Sequence, residues 1–420
     1  MLLKIKNKLR QLLAYLIYLP NITPFKALFS SEIFPWAFVY SLRRGLTLPL
    51  GYTLFLVYMV ISAIYILSSG QPLLVPARAL FALLNVTFIF FCIIKVDDKE
   101  FEFLKKAFTW VFYANIVLCL VQYFGLFPSA LTPIMRLVID RFTDEAHGQG
   151  RGVAGLFAEP SYASLSIHYY FAYYMMRHRI DQKSLLGYGA ILAMVLFDLF
   201  IIRSVTGLVM IFVYFISLQE WRYIWRGAIV MVVGSLLVIY FAKQADEVPR
   251  SVDFMYSFIY DREYQDPMPF LLNESGFRVI SVWAAYVYGW AHPLGSGIGG
   301  WGPASLIAMD DIGVPATEIG FFASYSGGQF DGVRPTSFVA DIFLEMGVIG
   351  FVMFIIAFWS YMTSKTLFRD QFARPIVVLF FFNLFVMGTI GDPLPFIFLA
   401  MAYRTMLPPK PAVTPVLNKA

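Results

Sequence analysis

An all-α, polytopic transmembrane protein is the fold class predicted by three features of the 420-residue chain. Charged residues make up only 14% of it, against about 25% in a soluble domain. Hydrophobic residues make up 59%, and the mean hydropathy is +0.69. Apolar runs of about 18 or more residues recur along the whole chain, each long enough to cross a hydrocarbon core of about 30 Å. Backbone polar groups in that core must be satisfied within the segment, so the runs are read as helices.

In chain order, Lys4, Lys6, Lys8 and Arg10 precede an apolar stretch as in a secretory n-region. No small-residue cleavage site follows, so the segment is expected to be retained. Residues 11–42 are apolar but interrupted by Pro20, Pro24, Lys26 and Pro35, and read either as a short hairpin or as an interfacial segment. Membrane helices are then expected near 47–69, 72–94, 107–127, 157–176, 185–202, 204–219, 227–242, 338–363, 375–391 and 394–407. A hairpin at 11–42 would raise the total from about ten to about twelve. Three regions result: residues 1–242, N-terminal helices with a first outer loop at 128–156; residues 243–337, a large outer loop; and residues 338–420, C-terminal helices and a tail. The large loop carries Trp283, Trp290 and Trp301 and an amphipathic stretch from Phe277 to Trp290, so it is expected to be partly helical and packed on the membrane surface.

Lys and Arg in the short loops set an orientation with both termini in the cytoplasm. The inner side then holds the cations before residue 47; Lys95, Lys99, Lys105 and Lys106; Arg177, Arg179 and Lys183; Arg222 and Arg226; Lys365, Arg369 and Arg374; and Arg404, Lys410 and Lys419. The outer side holds Arg78, Arg136, Arg141, Arg151, Arg203, Lys243, Arg250, Arg262, Arg278 and Arg334. Arginine offers a rigid fork of donors that matches phosphate and carboxylate oxygens, so an outer face using it almost exclusively points to anion recognition. Salt bridging to Asp140, Asp253 or Asp261 is the competing use. The net charge of +5 lies in short loops rather than on one face, which argues against nucleic acid. Cys92 and Cys119 fall inside apolar runs and read as packing residues.

Four clusters could carry chemistry. In Arg151-Gly-Val-Ala-Gly155-Leu-Phe-Ala-Glu159-Pro160-Ser161-Tyr162, Pro160 suits the first position of a membrane helix. Glu159 then stands at the membrane surface, where it either caps the helix or acts on a sugar hydroxyl. Arg203 occupies a tight turn with Asp198 one to two turns deeper, in reach of an ion pair that is either structural or part of a site. The stretch from Arg278 runs through His292 to the glycines Gly295, Gly297, Gly299, Gly300 and Gly302, whose amides suit close approach to a diphosphate or sugar. His292 is a base or a hydrogen-bonding loop residue. Finally, Asp331-Gly-Val-Arg334-Pro-Thr336-Ser337 leads into a helix with Asp341, Glu345, Gly347 and Gly350. Thr336 or Ser337 is a candidate N-cap, Glu345 is expected to face the interior, and the two glycines suit close helix packing. No His/Cys cluster, P-loop, nucleophile elbow or dinucleotide fingerprint is evident, and no metal or cofactor is expected.

The layout and these segments resemble the Wzy-type O-antigen and exopolysaccharide polymerases, relatives of the O-antigen ligases. Gly155-Leu-Phe-Ala-Glu159-Pro160-Ser161 is similar to their Glu-Pro-Ser segment, and Pro293-Leu-Gly295-Ser-Gly297-Ile-Gly299 to their Pro-Leu/Ile-Gly-x-Gly segment. Thr336-Ser337 followed by Glu345-Met-Gly347-Val-Ile-Gly350 stands where the family has a short polar motif and Glu-x-Gly-x-x-Gly. An arginine followed by a glycine eleven positions later occurs in both outer loops, as Arg141 with Gly152 and Arg278 with Gly289. The ligases tend to place a histidine before the Glu-x-Gly-x-x-Gly helix, and this chain has Thr336-Ser337.

The resemblance implies a GT-C-like membrane enzyme of the bacterial inner membrane. It would join undecaprenyl-diphosphate-linked oligosaccharide units on the periplasmic side by metal-independent glycosyl transfer, beside a flippase and a chain-length regulator. Glu159, Arg278 and His292 are the expected catalytic residues. Arg151, Arg203, Arg334, Arg141, Tyr162, Ser161, Gly297 and Gly299 are expected to bind substrate and diphosphate. A ligase acting on lipid A–core and a lipid-linked glycan transporter are the alternatives.

Overall fold

The computed structural model describes residues 2–22, 35–42, 47–139, 142, 152–182, 184–218, 278–314, 332, 334–388 and 390–407. The helix expected near 227–242, the arginines Arg141 and Arg151, and residues 243–277 and 315–331 of the large loop lie outside them. Among the described residues the regular structure is helical, with one isolated bridge between Ile22 and Ile139.

In chain order the helices are α1 (Leu2–Leu16), α2 (Pro35–Ser41), α3 (Leu50–Ser68), α4 (Leu74–Lys95), α5 (Asp98–Tyr123), α6 (Thr132–Val138) and α7 (Pro160–Arg177). They continue with α8 (Leu185–Leu196), which runs into a π-helical turn at Phe197–Ile202, then α9 (Val205–Leu218), α10 (Arg278–Ala291), α11 (Trp301–Asp311) and α12 (Phe338–Met362). The last three are α13 (Lys365–Arg369), α14 (Arg374–Phe385) and α15 (Leu394–Met406). Five are long and apolar enough to cross a membrane: α3, α4, α5, α8 with its π turn, and α12. Helices α9, α14 and α15 are apolar but shorter. In the ambiguous N-terminal region, α2 extends only about 10 Å, at 1.5 Å per residue, and does not span.

Helices α5 and α14 depart furthest from expectation, and each departure has a local cause. Helix α5 begins nine residues before the apolar run at 107. Asp97 caps it by accepting from the Glu100 amide at 2.8 Å, and its charged first turns are held by Arg10 on Glu100 (2.6 Å) and by Arg404 on Asp98. It stops at Tyr123 because Gly125, at φ +64°, turns the chain. Helix α14 stops at Phe385 rather than 391, where the Gly388 amide leaves the helix to donate to the Thr336 carbonyl at 2.7 Å.

Helix α7 is the centre of the bundle. Every residue from Ala163 to Tyr173 is buried, including Ser164, Ser166 and His168, as a polar helix in a membrane bundle requires. Around it the aromatic core closes on Phe398 of α15, which lies within 6.0 Å, ring to ring, of Tyr18, Phe108, Tyr169, Tyr170 and Tyr173. At one end of the bundle Arg10, Arg177 and Arg404 all contact the first turns of α5, Arg177 through the Lys105 carbonyl at 2.6 Å. The described part of the large loop is helical: α10 and α11 form a second small core with Ala340 and Leu344 of α12. Cys92 and Cys119 are free and buried.

Candidate functional site

The segment leading to Glu159 is held by buried amides. Asn115 and Gln122, two turns apart on one face of α5, accept from the Leu156 and Gly155 amides at 2.9 and 2.8 Å. Gly155 takes φ +60°, and a Cβ there would overlap the Asn115 side chain. On the other side the Val153 amide donates to the Ile201 carbonyl at 3.1 Å. The loop is thereby fixed between α5 and the π turn. Pro160 is the first residue of α7, as its missing N–H favours, and Glu159 is the N-cap residue in extended conformation. Its side chain makes no capping bond; it accepts from Ser161 Oγ at 3.4 Å. Glu159 and Ser161 are half-buried, and Tyr162 packs against the main core.

The ion pair expected between Asp198 and Arg203 is not formed. The π turn ends with the Arg203 amide donating to the Asp198 carbonyl at 2.7 Å, and Arg203 sits at φ +53°. This geometry separates the side chains. The guanidinium donates from Nε to the Phe200 carbonyl at 2.9 Å and lies over the Tyr123 ring at 5.6 Å. Asp198 points inward and accepts from Ser164 Oγ at 2.8 Å, with His168 Nε2 3.7 Å away. His168 was not singled out from the sequence, although a lone ionisable residue in the middle of an apolar run is the signal that marks it.

Arg278 is the first residue of α10 and is half-buried. His292, just past the end of that helix, is exposed and lies against Tyr288, ring centroids 4.2 Å apart. Burial raises the Tyr288 phenol above its ordinary range, keeping it un-ionised beside the imidazole.

The glycine segment after His292 docks onto an interruption in α12. At Gly347 the helix breaks, with φ +63° and ψ −171°, and the chain from Pro293 to Gly297 fills the gap. The Ser296 and Gly297 amides donate to the Leu344 and Glu345 carbonyls at 3.0 and 2.8 Å, and the Ile349 amide donates to the Pro293 carbonyl at 3.2 Å. The Ile298 amide donates to Ser62 Oγ of α3 at 3.1 Å. Gly347 was expected to let two helices approach; instead it lets a loop enter the helix. The Gly297 amide, expected to face a diphosphate, is engaged by the protein itself, and Gly299 is pressed against Pro76 of α4.

Arg334 is half-buried between two buried carboxylates of α12, with Nε 3.1 Å from Asp341 and Nη2 2.7 Å from Glu345, and its guanidinium lies 5.3 Å from the Trp301 ring. Glu345 faces the interior as expected. Of the two uses foreseen for outer arginines, Arg334 shows salt bridging, to acids on the following helix. Ser337 is the N-cap of α12, accepting from the Ala340 amide at 3.2 Å and donating to the Leu384 carbonyl at 2.9 Å. Tyr286 of α10 ties the same corner to α14 by donating to the Phe385 carbonyl at 2.6 Å.

A small pocket opens between the first turns of α7 and α12, lined by Leu165, Phe338, Asn383, Leu384, Gly388, Asp392, Pro395 and Phe396. Of its lining residues, Leu165 lies four residues beyond Ser161 along α7, and Phe338 directly follows Ser337 at the start of α12. The segments at 293–299 and 336–350 therefore meet at the break in α12, whereas 155–161 is held by α5 and the π turn, and Leu165, further along α7, shares the pocket with Phe338 of α12. The arginines are less convergent. Arg203 engages Tyr123 and Phe200, Arg334 engages Asp341 and Glu345, and Arg278 shares none of these contacts. Comparison of the chain with family models, with curated proteins and with solved structures finds no match.

Proposed function

We propose that this chain is a membrane glycosyltransferase, of GT-C-like architecture, that polymerises undecaprenyl-diphosphate-linked oligosaccharide units on the periplasmic side of a bacterial inner membrane. One observation carries the proposal. Of the three segments that resemble the polysaccharide polymerases, the glycine loop at 293–299 inserts into the helix of 336–350, and Leu165 of the helix that starts at Pro160 shares a pocket with Phe338 of that same helix. Packing alone has no need to break a Glu-x-Gly-x-x-Gly helix so that a Pro-Leu-Gly-x-Gly loop can enter it.

The chemistry assigned is transfer of a growing glycan from its lipid diphosphate to the hydroxyl of an incoming unit. Glu159, the residue from which α7 starts, orients or deprotonates that hydroxyl. Arg278, with Arg203 and Arg151, stabilises charge on the departing diphosphate. Arg334 is given a different part: clamped by Asp341 and Glu345, it fixes the corner where the glycine loop enters α12. His292, exposed beside Tyr288, is the second choice as base.

The test is a reaction of the purified protein with lipid-linked repeat units, with and without lipid A–core, resolved on a gel. A ladder of lengths without lipid A–core is the expected result. Transfer only in its presence identifies a ligase, and no new glycosidic bond leaves a transporter of lipid-linked glycans; either result overturns the polymerase.

A further inference from the structure

At the middle of α7 a histidine, a carboxylate and a serine meet inside the bundle. His168 is about 12 Å along α7 from Pro160, at 1.5 Å per residue, and is fully buried together with Ser164 and Asp198. Its Nδ1 lies 2.8 Å from the Ser164 backbone carbonyl. A carbonyl oxygen can only accept, so Nδ1 carries a hydrogen. In a neutral ring Nε2 is then a bare lone pair, and it faces Asp198 Oδ2 at 3.7 Å. The Ser164 hydroxyl donates to that same oxygen at 2.8 Å. Neither His168 Nε2 nor Asp198 Oδ1 has a hydrogen-bond partner, and among the described residues the pair has no second ion-pair partner.

Two acceptors facing each other in an apolar interior, one of them charged, is the arrangement that burial penalises most. A single additional proton removes the conflict in either of two ways. It makes an imidazolium beside a carboxylate, or a carboxylic acid donating to Nε2. Both are net neutral. The surroundings are built around this pair. Gly207 of α9 leaves room for the carboxylate, since a Cβ there would overlap its oxygens. Tyr214 of α9 places its ring 6.5 Å from the imidazole, with a buried hydroxyl that also lacks a partner. Asp198 sits in the π turn, and such turns recur at functional sites.

We propose that Ser164, His168 and Asp198 form a proton-binding site within the membrane bundle, which takes up one proton and shares it between the imidazole and the carboxylate. It joins the helix that begins after Glu159 to the turn that ends at Arg203. The assignment is independent of what the outer corner does.

The test reads the ring directly. The full chain has four histidines; replacing His147, His178 and His292 by Gln leaves His168 as the sole signal and does not touch the site. With nitrogen-15 histidine label in lipid nanodiscs, magnetic resonance distinguishes a ring nitrogen that carries or accepts a proton from a bare one. Infrared difference spectra against Asp198→Asn report the carboxylic acid band. Expected is a protonated Nδ1 with either a protonated Nε2, or an Nε2 accepting from a carboxylic acid whose band Asp198→Asn removes. Raising the pH should remove one proton from the pair in a single step seen by both methods. A ring carrying its hydrogen on Nε2 with Nδ1 bare would overturn the proposal. So would a neutral Nδ1–H ring with bare Nε2 at every pH, a result that needs no second variant to read.

Discussion

The break in α12 gives the sharpest test of how the outer corner is built. Gly347 has φ +63° and ψ −171°, a backbone region populated almost solely by glycine, and a side chain forced into it costs about 1–3 kcal/mol. The cost of Gly347→Ala does not end there. A Cβ at this position would overlap the Pro293 carbonyl, so the loop must withdraw. Withdrawal threatens the bonds from Ser296 to Leu344, from Gly297 to Glu345 and from Ile349 to Pro293, each worth about 1 kcal/mol net. With two or three of them lost, the substitution should destabilise the fold by about 3–5 kcal/mol, at least a hundredfold in the folded-to-unfolded ratio. The measurement is reversible unfolding in mixed micelles with rising SDS, followed by tryptophan fluorescence from the eight tryptophans. Gly189→Ala is the control. It lies in α8 with nothing within 4 Å of where a Cβ would stand, and it should be neutral or gain up to about 1 kcal/mol. If Gly347→Ala unfolds within about 0.5 kcal/mol of the parent, like an ordinary surface substitution, the loop does not depend on that break.

The remaining predictions concern the same end of the molecule. Arg334→Met leaves Asp341 and Glu345 buried without their shared cation and should cost about 3–5 kcal/mol; adding Glu345→Gln should recover part of that loss, and a double-mutant cycle of unfolding free energies measures it. Asn115→Ala removes the acceptor of the Leu156 amide, so hydrogen exchange at residues 153–157 should accelerate about tenfold or more while α12 stays protected, as read by mass spectrometry. Glu159→Gln keeps the side chain's size and an oxygen that can accept from Ser161 Oγ, so the unfolding midpoint should stay near the parent's while glycan transfer falls about 10²–10⁴-fold if the carboxylate is the general base.

Much of the architecture is legible in the chain because the bilayer forces it to be. The spans at α3, α4 and α12 are continuous apolar runs of the required length, and Pro160 and Ser337 mark helix starts by backbone chemistry alone. What composition hides is where polarity is compensated. The first turns of α5 carry charge and read as loop, yet they are helical because Arg10 and Arg404, distant in sequence, neutralise them. The glycines at 293–299 read as a ligand cradle because spacing alone cannot distinguish an amide facing a ligand from one facing a helix break fifty residues later. Asp198 is legible as deep and ionisable, but its nearest cation in sequence, Arg203, is only five residues away, whereas its partners Ser164 and His168 stand thirty or more residues earlier on α7.

The ring of aromatics around Phe398, and the burial of Arg404 against α5, have a consequence for synthesis. Both residues belong to α15, the most C-terminal helix among the described residues. Without α15, Tyr18 of α1, Phe108 of α5 and Tyr169, Tyr170 and Tyr173 of α7 lack the ring on which they pack. The native bundle can close only after α15 has entered the bilayer, whatever order the helices before it take. A fusion or stop codon upstream of α15 would remove the piece on which the other helices converge.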